Sequence, residues 1–199
     1  MKKLPIGLIY FRLCSGIIIL TLSFFDNTYY AVITAILFSL GLLSDIFDGI
    51  IARRLRVATQ KLRRLDSLVD QVFFTCVTLA LFIKWPGFFT HNAARILILV
   101  SAEGAAYLGC WLKFRREVAT HALASKLWAL VLFATLFQVL ITGNSTVLFT
   151  VCFYLGLLTR LEIIGIILLL RHWAHDVPSI YHAYLSRRGQ AIARHSLFN

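Results

Sequence analysis

The sequence predicts an all-α, polytopic membrane protein, and three observations carry that prediction. Of its 199 residues, 59% are hydrophobic and only 15% charged, with a mean hydropathy of +0.80; soluble domains are nearer half apolar and about a quarter charged. Six runs are long enough for a helix to span the bilayer, which takes about 20 mainly apolar residues. The connections between these runs are short, with turn residues and no internal repeat. A water-soluble fold has no place for this much apolar side chain, so lipid is part of the solvent. The expected architecture is six transmembrane helices in one bundle.

The first run, about 5–25, follows Met1-Lys2-Lys3 and is interrupted by Arg12. No small-residue cleavage site follows it, so it reads as a retained span. The second, about 29–53, begins after Asp26-Asn27, and the third, about 66–85, stops at Lys84-Trp85-Pro86-Gly87. The fourth covers about 93–112. The fifth, about 122–142, ends at Thr142-Gly143-Asn144-Ser145, and the sixth covers about 146–171. Residues 1–172 thus read as the membrane domain. Residues 173–199 carry Trp173, Ile180, Tyr181, Tyr184 and Leu185 among histidines and arginines, the pattern of a basic amphipathic cytoplasmic tail on the membrane surface. Its histidines read as interfacial groups, since no set of metal ligands is complete. Cys14, Cys76, Cys110 and Cys152 lie within apolar runs without a pairing pattern, as small buried hydrophobes do.

The basic residues set the expected orientation. Lys2 and Lys3 precede the first span, and Arg53, Arg54, Arg56, Lys61, Arg63 and Arg64 lie between the second and third. Lys113, Arg115 and Arg116 follow the fourth, and Arg171, Arg187, Arg188 and Arg194 follow the sixth. Both termini are therefore expected to be cytoplasmic. The net charge of +11 comes mainly from clusters beside apolar runs, which fits attraction to anionic lipid rather than to nucleic acid.

The acidic residues are unevenly placed. Four of the nine, Asp45, Asp48, Asp66 and Asp70, fall within one stretch. Asp45 and Asp48 are three apart near the end of the second span, while Asp66 and Asp70 are four apart at the start of the third, so each pair shares a helix face. Antiparallel spans joined by a short loop place both pairs at similar depth. Carboxylates there are costly and repel one another, and divalent cations would neutralise them. Oxygen ligands without His or Cys favour Mg2+ or Mn2+, and four carboxylates suffice for two ions that leave positions open for phosphate. The plainer reading is helix capping and pairing with neighbouring arginines; it does not explain why all four recur on one hairpin.

Asp45-Ile46-Phe47-Asp48-Gly49-Ile50-Ile51-Ala52-Arg53, followed after eight residues by Leu62, Asp66 and Asp70, resembles the signature D-x2-D-G-x2-A-R-x8-G-x3-D-x3-D of the CDP-alcohol phosphatidyltransferases. Seven of its eight specified positions match; Leu62 stands where the family has a glycine. Pro5 and Arg12 resemble part of the family's entry to its first helix, and Ser125-Lys126 a Gly-Lys pair before its fifth. The resemblance implies that Asp45, Asp48, Asp66 and Asp70 hold two Mg2+ or Mn2+ ions, and that Asp70 also serves as catalytic base. Gly49, Ala52, Arg53 and Thr59 would bind the nucleotide, and Lys126 is a candidate for the acceptor's anionic group. The implied reaction moves a substituted phosphate from a CDP-alcohol to an acceptor hydroxyl with release of CMP, in phospholipid biosynthesis. Bacterial members of similar length use CDP-diacylglycerol and a small alcohol or phosphorylated polyol, as homodimers in the inner membrane with the site towards the cytoplasm.

Arg12, Glu103, Arg160 and Glu162 fall roughly 12–18 Å inside their spans at 1.5 Å per residue. They read first as a structural network in which the arginines face the glutamates, with the alternative that an arginine contacts substrate phosphate beneath the metal site. Two other functions compete with the transferase. A cation transporter would use the aspartates as its ion site, but Arg53 beside them repels cations. A catalytically impaired relative would bind lipid or act as a scaffold, a reading that Leu62 alone favours.

Overall fold

The computed structural model describes residues 4–55, 59–115, 123–170 and 179–187. Among these residues the regular elements are helices only: α1 (Leu4–Leu22), α2 (Tyr30–Arg54), α3 (Gln60–Lys84), α4 (Pro86–His91), α5 (Ala93–Phe114), α6 (Leu123–Thr142), α7 (Val147–Leu169) and α8 (Ile180–Arg187). Five stretches, Leu4–Leu22, Tyr30–Ala52, Arg64–Lys84, Ala93–Phe114 and Val147–Leu169, are long and apolar enough to cross a membrane. The expected fifth run falls on α6, which carries the apolar stretch Leu127–Thr142. Ser125 and Lys126 occupy the first turn of α6. The long helices keep large apolar side chains exposed, among them Ile17, Ile36, Leu79, Leu97 and Leu158, the kind of surface that hydrocarbon tails solvate.

The chain divides into two compact units, Met1–Thr90 with Leu136–Asn144, and His91–Thr135 with Ser145–Asn199. In the first unit α1 packs along both α2 and α3. The junction is aromatic: Phe38 of α2 meets Phe73 and Phe74 of α3 at ring separations of 5.8 and 6.1 Å. Phe73 is fully buried and fills the notch at Gly41, where any Cβ would run into its ring. This contact seats Phe73 of α3 against Gly41 of α2, while α1 packs on both helices. After α3, Pro86 opens α4 at its first position, where the missing N–H is not needed.

In the second unit α5 packs on α7, and α7 on α8. Ala106 and Cys110 meet Ile163 and Ile167 in one buried cluster, while Ile166, Leu170 and Ala183 form another beneath α8. Lys113 Nζ donates to the carbonyls of Ile167 and Leu168, both at 2.8 Å, and so places a cation on the negative end of the α7 dipole. Of the tail expected at 173–199, only residues 179–187 are described. There His182 Nδ1 and Ser179 Oγ share a hydrogen bond of 2.9 Å; His172, His175 and Asp176 lie outside the described residues.

Candidate active site

The acidic ends of α2 and α3 lie together in the first unit. Asp45 and Asp48 belong to the second half of α2, and Asp66 and Asp70 to the first half of α3. Thr59 caps α3: its backbone is extended, and its Oγ1 accepts from the Leu62 N–H at 3.2 Å. That bond satisfies one of the free amides of the first turn. The helix therefore begins early enough to present Asp66 and Asp70 on one face. Capping is a role for Thr59 that the motif does not reveal.

Oxygens of Asp45, Asp48 and Asp66 lie within 4.8 Å of one another. Asp70 joins them through a shared partner, Arg12 of α1. Arg12 Nη1 lies 3.1 Å from Asp45 Oδ1 and 3.2 Å from Asp66 Oδ1, and it also pairs with Asp70. Its Nη2 pairs with Asp48, while Nε lies 3.5 Å from Ser44 Oγ. Exposure is graded: Asp48 is 4% exposed, whereas Asp45, Asp66 and Asp70 keep 40%, 31% and 33% of their side-chain surface. The cluster is thus closed at its base and open at its mouth.

The expectation that Arg12 and Arg160 both face glutamates needs correction. Arg160 does pair with Glu103, and its guanidinium lies 3.8 Å over the Trp128 ring, whose Nε1 donates to the Cys152 carbonyl. Trp128 in turn packs against Gly156, leaving no room there for a Cβ. Arg12 turns to the aspartates instead. Helical side chains lean towards the N-terminus of their own helix, so a depth counted along Cα atoms places a long guanidinium too deep.

The donor set suits a hard divalent cation: carboxylate oxygens converge from two helices, with no nitrogen or sulfur ligand among them. Within the group of four aspartates and Arg12, negative charge exceeds positive when all are ionised, which is the imbalance a cation removes. Gly49 adds a second sign of an open site. A Cβ there would meet nothing within 4 Å, so helix packing does not demand a glycine, and the face beside Asp48 has room for a ligand. Ala52 is buried and Thr59 exposed. Arg53 lies in α2 and Lys126 in α6, with both side chains outside what is described; Lys126 belongs to the second unit. Leu62 occupies the first turn of α3, half-buried.

The sequence model for CDP-alcohol phosphatidyltransferases matches residues 2–179. Two curated relatives, both named CDP-diacylglycerol--glycerol-3-phosphate 3-phosphatidyltransferase, come from Rickettsia typhi (strain ATCC VR-144 / Wilmington) and Rickettsia prowazekii (strain Madrid E). They are 33% identical over 84 residues and 32% identical over 83, each alignment covering 42% of this chain. The matched region spans 47% and 46% of the relatives, so the chain spans about half the length of the curated relatives it matches. No solved structure matches the chain. Because the family's pattern covers all but the last stretch of the sequence, and its acidic positions meet in one cluster, the chain belongs to the CDP-alcohol phosphatidyltransferase family.

Proposed function

We propose that this protein transfers a phosphatidyl group from CDP-diacylglycerol to the hydroxyl of a small polar acceptor, releasing CMP, in phospholipid biosynthesis. The observation that carries the reading is the convergence of Asp45, Asp48 and Asp66 from two helices, with Asp70 tied to them through Arg12. Glycerol 3-phosphate is the first acceptor to consider, because the relatives' names specify it.

In this reading Asp45, Asp48, Asp66 and Asp70 hold two Mg2+ or Mn2+ ions. Such ions, when bound, offset the charge that builds up on a diphosphate during transfer. Asp70 takes the proton from the acceptor hydroxyl as its oxygen forms a bond to the lipid-linked phosphorus. The bond from that phosphorus to the bridging oxygen breaks, and CMP departs with that oxygen. Gly49 and Ala52 let the nucleotide approach the helix, Arg53 offers paired donors to phosphate, and Thr59 borders the nucleotide while capping α3. Lys126 receives the acceptor's anionic group.

The proposed setting is a homodimer in a bacterial inner membrane, with no nucleic-acid partner. Six spans form a domain over residues 1–172, both termini and the site face the cytoplasm, and residues 173–199 lie on the membrane surface. The test is CMP release by purified protein supplied with CDP-diacylglycerol, glycerol 3-phosphate and Mn2+ or Mg2+. Release should fall at least about a hundredfold in Asp70→Asn, the usual order for loss of a general base. If neither this acceptor nor any other alcohol, with this or another CDP-alcohol, exceeds the Asp70→Asn background, the reading fails.

A further inference from the structure

The point where the four carboxylates converge is already filled by a cation of the protein itself. Arg12 is 1% exposed, and the Nη1 atom that approaches Asp45 and Asp66 at 3.1 and 3.2 Å also pairs with Asp70. An arginine usually spends its fork on one carboxylate; this one is divided among four, contributed by two helices. The lone pairs it engages are those that a divalent ion would need. Two positive charges a few ångströms apart in a partly desolvated site repel strongly.

We infer that Arg12 is an internal counter-cation of the aspartate cluster: it holds the carboxylates together in the metal-free protein and competes with divalent ions for their oxygens. The inference rests on the reading of the cluster as a metal-holding site. It gives a reason for burying an arginine in the third turn of α1. Without Arg12, four carboxylates would face one another without its charge while the site awaits its ions, and their repulsion would strain the junction of α1, α2 and α3. Arg12 has a second effect after loading. Two divalent ions and one guanidinium carry one more positive charge than the carboxylates carry negative, which suits a site that must receive a diphosphate.

Competition separates this role from a merely structural one. A structural arginine, once removed, leaves a looser site that binds metal less well, whereas a competing cation leaves a tighter one. The test uses the full chain, purified in detergent and stripped with chelator, with Mn2+ as the probe and free Mn2+ followed by electron paramagnetic resonance. Arg12→Gln should lower the half-saturating Mn2+ concentration at least about tenfold, the scale expected from removing one neighbouring like charge. Its metal-free unfolding midpoint should fall below that of the wild type, and added Mn2+ should close the gap. Because Arg12→Gln alone can fail to fold, Arg12→Gln/Asp48→Asn is compared with Asp48→Asn in parallel, where the buried charge and its partner are neutralised together. Tighter Mn2+ binding in either folded comparison supports the inference, and equal or weaker binding in both overturns it. A wild type that takes up no Mn2+ overturns the metal-site reading and this inference with it. Uptake abolished by Asp45→Asn but tightened in neither comparison overturns this inference alone.

Discussion

Arg12 and Asp48 form the buried base of the aspartate cluster, pairing a side chain of α1 with one of α2 where both are almost wholly shielded. The other three aspartates lie nearer the open mouth, so this pair holds α1 against α2 beneath the site. Removing Asp48 leaves Arg12 with Asp45, Asp66 and Asp70 as partners, so the loss stays below that of a buried charge left wholly uncompensated. Asp48→Ala is therefore expected to lower the stability of the metal-free protein by about 1–3 kcal/mol, the order for a buried donor that loses its acceptor. Asp48→Asn, which keeps an oxygen acceptor for Nη2, should lower it by less. Equilibrium unfolding in mixed micelles, with chelator present, measures both.

A different buried charge organises the second unit. Arg160 is held between Glu103 and the Trp128 ring, and Trp128 is anchored to the Cys152 carbonyl. Glu103→Gln should cost about 2 kcal/mol or more, because the guanidinium stays in place without its ion partner. The double variant Glu103→Gln/Arg160→Met should recover a large part of that loss, since both charges are then gone. A double-mutant cycle on unfolding free energies reads the coupling. Additive losses would show that Trp128, rather than Glu103, is what holds Arg160.

Helix spacing makes the aspartate positions legible in the sequence, but not where long side chains end. Spacing along a helix placed Asp45 with Asp48 and Asp66 with Asp70, because a helix returns to the same face every three to four residues. Those positions do meet. Arg12 is not legible from depth along the backbone, because a long helical side chain leans towards the start of its helix. Trp128 is hidden in the sequence for another reason. In α6 it is one large apolar residue among many, and only the fold shows that Gly156 leaves room for its ring.

The notch at Gly41 tests how tightly the aromatic junction sets the two acidic helices. Phe73 is fully buried and flanked by Phe38 and Phe74, so its ring has no free direction in which to yield. Gly41→Ala is expected to destabilise the protein by about 1–3 kcal/mol through overpacking. Combining it with Phe73→Leu should restore part of the loss, although neither change alone is favourable. Thermal unfolding of the two single variants and the double variant decides the matter. If Gly41→Ala is neutral, this contact does not fix the height of α3 against α2.

Leu62 is the position where the chain departs from its family's pattern. Its amide is engaged by Thr59 Oγ1, and its side chain is half-buried in the first turn of α3. A glycine here would clear the side chain from the face that the proposed nucleotide approaches. It would also remove a good helix former, at a cost of up to about 1 kcal/mol. Leu62→Gly is thus expected to lower the KM for the CDP-linked donor and leave kcat within about twofold, because no proposed catalytic group is touched. Thr59→Ala separates the two contributions. It removes the cap, worth about 1 kcal/mol, without clearing space, so its midpoint should fall while its donor KM does not improve. Steady-state CMP release across donor concentrations, alongside unfolding midpoints, gives both readouts. An unchanged donor KM in a well-folded Leu62→Gly protein would mean that the leucine side chain already lies clear of the nucleotide.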